Sequence, residues 1–200
     1  MVLHPSIAAL SAAAFILAAA PLCAQEADPV PDAFAGLPGV RFDYYDVRGT
    51  TQAELATALR EAAQTTPGLT EAGKPPAAGR TRWKADFAWD VQRRTGLCRT
   101  RSPRTTMTVI VILPRLAEPG RVSPAARAAW QDYIAGIERH EAGHARIAFA
   151  HVRDFESEAY GAPCDRIKAI GQRIVDRIVA LQEDYERRTD YGRAQGDIVE

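Results

Sequence analysis

The clearest pattern in the chain is an alternation. Trp83, Ala85, Phe87, Trp89 and Val91 stand at every second position among mostly polar neighbours, the period of a strand with one buried face. Thr105–Leu113 also reads as a strand, but with apolar residues on both sides: Met107, Val109, Val111 and Leu113 on one, Ile110 and Ile112 on the other. A strand apolar on both faces belongs in the middle of a sheet with cover above and below. Val40–Val47 predicts a further strand. After it, Thr51 with Glu54 three residues later is a capping-box signature, opening a helix that puts Leu55, Ala58, Leu59 and Ala62 on one face. Residues 65–80, rich in Pro and Gly, read as loop.

From Ser123 the period changes. Ser123 is a good N-cap and Pro124 suits the first helical position. The stripe Trp130, Tyr133, Ile137, His140, His144, Ile147, His151, Phe155 advances in threes and fours, as on one face of a long helix. Gly161-Ala-Pro163 ends it. A second helix carries Ile167, Ile170, Ile174, Ile178, Leu181 and Tyr185 on one side, and so short a connection implies an antiparallel pair. The predicted class is α+β: a small antiparallel sheet packed on a long helix and an antiparallel C-terminal helix, a zincin-like arrangement.

Composition adds limits. Of 200 residues, 46% are hydrophobic and 25% charged, and 25 basic residues balance 25 acidic ones. Such a chain suits one globular domain, and its zero net charge gives no overall pull towards nucleic acid. The first 24 residues are of another kind. They hold no Asp, Glu, Lys or Arg, and Ile7–Ala20 is an apolar run of 14, too short for a bilayer but suited to a secretion signal. Pro21 breaks the run, and cleavage after Ala24 is expected; anchoring, or lipid attachment at Cys23, are the alternatives. The expected organisation is a signal peptide at 1–24, a flexible leader at 25–39 and a single domain at 40–196. It places the mature chain in the periplasm or outside the cell, with no integral membrane span. Cys98 and Cys164 remain in the mature chain, and in an oxidising compartment they most simply form one disulfide, two unpaired buried thiols being the alternative.

The chemistry lies in His140-Glu141-Ala142-Gly143-His144, an HExxH motif for which chance predicts about 0.005 matches in a chain of this composition. Residues four apart on a helix share a face, so His140 and His144 can converge on one Zn²⁺. Glu141, one residue round the helix, is placed to act as general base on a water. Gly143, a poor helix former, leaves room beside the metal or for a close neighbour. His151 shares the face but lies two turns, roughly 10 Å, beyond His144, too far to be a third ligand. That ligand is expected from the second helix or just after it: if the chain turns near 162, position 140 faces about 185, and Glu183, Glu186, Asp190 and Tyr191 come within reach.

These residues resemble a bacterial family of predicted secreted zinc-dependent proteases that carry a domain of unknown function. The likeness spans roughly 40–196. It rests on HEAGH, Cys98 and Cys164, Tyr45-Asp-Val-Arg-Gly49-Thr-Thr, Thr81-Arg-Trp83, Leu113-Pro114 and the closing segment Tyr185–Gly196. The resemblance implies that Cys98 and Cys164 are the family's paired cysteines and that the closing segment approaches the HExxH site. Where the family has Thr-x-His-Gly, this chain has Thr189-Asp190-Tyr191-Gly192. If that His is the family's third ligand, this chain must use Tyr191, a nearby carboxylate or nothing. The expectation is an exported zinc metallopeptidase acting on a peptide or protein of the cell envelope. A non-catalytic envelope protein with a structural or vestigial zinc site is the alternative, and zinc carriage is a third reading.

Overall fold

A computed structural model describes residues 30–73 and 75–193. The proposed signal segment and Cys23, the first part of the leader and residues 194–196 of the closing segment lie outside them. The order of elements is β1 (Val40–Val47), α1 (Gln52–Thr65), β2 (Arg80–Arg94), β3 (Leu97–Leu116), α2 (Pro124–Val152), α3 (Asp154–Ala159) and α4 (Ile167–Arg188), with short 3-10 turns at Asp32–Phe34 and Pro119–Arg121.

The three strands form one sheet in the order β1-β3-β2. β3 is central, as its two apolar faces predict, with Val109, Val111, Ile112 and Leu113 all buried. The expectation of an antiparallel sheet is corrected: β2 and β3 form an antiparallel hairpin, but β1 pairs parallel to β3, Val40 opposite Val109 and Val47 opposite Leu116. The reason is the route of the chain. α1 and the 66–79 loop carry it across before β2 begins, so β3 returns in the direction of β1. The hairpin is also longer than the sequence pattern suggests, and a bulge at Ser102-Pro103 (Ser102 φ 43°) keeps the inner face of β3 in step with that of β2.

Local chemistry sets the helix ends. The Glu54 amide donates to Thr51 Oγ1 at 3.3 Å while Glu54 Oε2 accepts from the amides of Thr50 and Thr51, closing the capping box of α1. Ser123 Oγ accepts from the Ala126 amide at 3.3 Å, and Pro124 follows it. The long helix predicted from Ser123 to residue 160 is in fact two. It breaks at Arg153, and α3 turns Phe155 onto Phe87, ring centroids 4.3 Å apart.

α2 and α4 run antiparallel against the sheet. Their far end is apolar: Ala148, Val152, Phe155, Ile170, Ile174 and Ile178 pack beneath Trp83, Phe87 and Trp89. Cys98 and Cys164 are disulfide-bonded across that end, Cα atoms 5.5 Å apart. The connector between α3 and α4 also hydrogen-bonds to β3 there, through Thr100 N to Ala162 O and Gly161 N to Thr100 O. Among the described residues no helix is long and apolar enough to cross a membrane.

Candidate metal centre

The HExxH motif sits in the middle of α2, where the helix passes under the start of β2. His140, Glu141 and His144 are all buried. Because α4 runs back along α2, its last turns come level with the motif. Glu186 is the member of the four candidates that reaches it. Glu186 Oε2 is 3.3 Å from His140 Nε2, Glu186 Oε1 is 3.3 Å from His144 Nε2, and the two Nε2 atoms are 3.2 Å apart. The donor atoms of these three side chains all lie within 4.8 Å of one another. A tetrahedral ion with bonds of about 2.0–2.1 Å spaces its ligand atoms about 3.3–3.4 Å apart, close to each of the three separations, with one Glu186 oxygen facing each imidazole, so the cluster could hold a small divalent cation taking nitrogen and oxygen ligands.

The other candidates lie elsewhere. Glu183 and Asp190 are exposed. Tyr191 is 68% exposed and sits with Asp190 in a left-handed turn (φ 55° and 48°). His151 is outside the cluster, with Nδ1 3.4 Å from Asp154. Glu186 was within reach of the antiparallel estimate, but the sequence offered no means of choosing it: Glu183-Asp-Tyr-Glu186 reads equally well as a solvated helix end.

Both imidazoles are held from behind. Gln182 grips His144 twice, its Nε2 donating to the His144 carbonyl at 3.0 Å and its Oε1 meeting Nδ1. Thr189 Oγ1 lies 3.5 Å from His140 Nδ1 while donating to the Tyr185 carbonyl at 2.9 Å. Partners on the Nδ1 side orient the rings and leave both Nε2 lone pairs aimed at the triangle. Tyr185 completes the packing, stacked on the His140 ring at 5.2 Å and edge-on to His144 at 4.9 Å. It explains Gly143. A Cβ there would fall 2.0 Å from the Tyr185 hydroxyl and 2.3 Å from Cζ, so the close neighbour anticipated for this glycine is the tyrosine of the facing helix. Gln182 carried no signal in the sequence, being an ordinary polar residue near a helix end, whereas Thr189 lies in the closing segment that the resemblance brings to the site.

The two carboxylates are in contrasting states. Burial pushes the Glu141 carboxyl above the ordinary range, only partly countered by the two imidazoles. Its Oε2 is enclosed and without a hydrogen-bond partner among the described residues. Burial also acts to raise Glu186, but hydrogen bonds from His140 and His144 outweigh it and hold the carboxyl at about 2. Glu141 is further fixed through its backbone, whose carbonyl accepts from Thr81 Oγ1 at 2.9 Å. Gly79 lies directly over it; a Cβ there would meet Ile137 Cγ2 at 2.5 Å and Glu141 Oε1 at 3.2 Å. A surface depression lined by Arg48, Thr50, Glu54, Glu61, Glu118 and Arg121 lies at the start of α1, and none of the triangle's residues lines it.

Residues 42–192 match the model of a family described as bacterial protein of unknown function (DUF922). The chain belongs to that family. The match runs from within β1 past the end of α4, and so includes every residue of the triangle and both disulfide cysteines. No curated protein and no solved structure matches the chain.

Proposed function

We propose that this protein is an exported zinc-dependent metallopeptidase. The observation that carries the reading is the closure of the HExxH pair by Glu186 into a three-donor triangle beside a carboxylate, Glu141, that is no part of it. Three protein ligands are the number found in catalytic zinc sites, whereas structural sites are closed by four. Zinc held by His140, His144 and Glu186 would supply Lewis acidity, polarising a carbonyl and lowering the pKa of a water.

The chain's own residues do the rest. Glu141 takes the proton of the attacking water on its carboxylate and returns it to the leaving amine; a carboxyl that burial raises above the ordinary range holds a proton more readily than a solvated one. Glu186, held ionised down to about pH 2, stays a donor throughout. Gln182 and Thr189 keep the imidazoles in register. β2 is an edge strand whose first residues lie on α2 at Glu141, so a peptide substrate would add along its free edge and reach the triangle.

One observation favours a second reading, a non-catalytic envelope protein with a structural metal: Glu141 is only 4% exposed. Zinc stoichiometry and peptide-library cleavage, run together on wild type, His140→Ala and Glu141→Gln, separate the two. The peptidase reading expects about one zinc per chain, lost in His140→Ala. It also expects cleavage that falls by about 10²–10⁴-fold in Glu141→Gln with zinc retained. Zinc bound without cleavage by the wild type would transfer the protein to the second reading, and no zinc after reconstitution would overturn the metal site.

A further inference from the structure

The neutral composition conceals a local excess of positive charge. Cross-strand register places Arg82, Lys84, Asp86, Asp90 and Arg94 of β2 beside Arg99, Arg101 and Arg104 of β3 on the outer face of the hairpin, turned away from the helices. Arg80 shares the face but is neutralised by Glu71 of the preceding loop, and the other six cations against two anions give it a net charge of +4, in a chain whose total is zero. Lys84 pairs with Asp86 and Arg104 with Asp90, which uses up both acids. Arg101 is held by Gln92 and lies over the Tyr160 ring. Arg94 and Arg99 stand exposed near the tip with no ion pair among the described residues. Arg93, on the inner side of the ribbon, is exposed there as well.

Between Arg94 and Arg99 lies Leu97, directly opposite Arg94 in the register and 61% exposed. An apolar side chain at the end of a ribbon, ringed by arginines, has the form of an interfacial anchor: the leucine enters the acyl boundary and the guanidinium groups meet the phosphates. The tip is held firmly. Cys98, next to Leu97, is bonded to Cys164, and the connector hydrogen-bonds to Thr100. Little ordering entropy is therefore lost on docking.

We infer that the β2–β3 hairpin tip is a docking surface for an anionic phospholipid bilayer. This would hold the molecule at the membrane face whatever chemistry its metal centre performs.

The test is co-sedimentation of the full chain with vesicles of pure phosphatidylcholine and with vesicles containing 30% phosphatidylglycerol, at low and high salt. The uncharged apolar segment near the N-terminus treats both vesicles alike, so the difference between them reports the hairpin. We expect stronger binding to the anionic vesicles, reversed by salt. At roughly fivefold per arginine, Arg94→Ala with Arg99→Ala should lower that partitioning about 25-fold. Leu97→Ser should weaken it while leaving the salt dependence in place. Neither change touches a buried contact, and circular dichroism checks the fold. Equal binding to both vesicles, or binding unchanged in the double variant, overturns the proposal. So does a wild type that ignores anionic vesicles yet is retained on heparin through the same arginines, which would reassign the face to a soluble polyanion.

Discussion

The α2–α4 pair is built on one plan at its two ends, and the ends have opposite tolerances. At each end a glycine of one element faces an aromatic ring of another. At the far end it is Gly171 of α4 against Phe87 of β2, and a Cβ there would stand 3.2 Å from the ring. At the HExxH end it is Gly143 of α2 against Tyr185 of α4, at 2.0 Å from the hydroxyl. The first contact is tight packing among Phe155, Ile170 and Ile174. The second is a close approach that allows one ring to steady two imidazoles. The difference teaches where this fold has spare room: an apolar end, pinned by a disulfide, can relax by a few tenths of an ångström, while an end that holds two imidazoles and a carboxylate at separations of 3.2–3.3 Å cannot.

The sharpest break of the comparison falls on the far end. Replacing Cys98 and Cys164 together by Ser frees a loop of 66 residues and should cost about 4 kcal/mol in chemical denaturation. The variant, where still folded, should bind metal as the wild type does; loss of metal from a folded variant would mean the ends are coupled.

Gly143→Ala comes next. It drives the Tyr185 ring off the imidazoles, with an overpacking cost of about 1–3 kcal/mol and about 10–100-fold weaker metal binding in a competition titration. In a Tyr185→Ala background the same change should cost much less, because the partner of the clash is gone.

A smaller effect concerns Glu186. Its folded value of about 2 lies below the usual 4.5, so the stability it contributes to the metal-free chain is fully present above the ordinary carboxylate range. That contribution is lost as pH falls through about 2. The gap in unfolding free energy between wild type and Glu186→Gln should narrow steadily on acidification from about pH 5; a gap independent of pH would remove the imidazole contacts as its cause.

Gly171→Ala should do least. The gain of about 1 kcal/mol in helix propensity offsets the small shift asked of Phe87, leaving the melting temperature near that of the wild type.

Much of this was legible in the chain. β1, the capping box of α1, the start of α2 and the centrality of β3 follow from alternation, caps and a two-faced apolar run, all local signals. The HExxH residues were equally plain, because i and i+4 share a helix face in any fold. The direction of β1 was not: parallel and antiparallel edges show the same alternation, and only the path of α1 and the following loop distinguishes them. The break at Arg153 also escaped, since His151 and Phe155 continue the apolar stripe across it.

By itself, then, the sequence determined most of the elements, the helix face that carries His140 and His144 with Glu141 beside it, and the two cysteines available to pair, because each depends on residues a few positions apart or on composition. Tertiary structure decided that Glu186, not Glu183, Asp190 or Tyr191, closes the triangle, and that Tyr185 is what Gly143 makes room for. It also decided that arginines scattered along a neutral chain gather on one face of a hairpin. Each of these rests on the phase of one element against another, a relation between distant residues fixed only when the helices cross and the strands take their register.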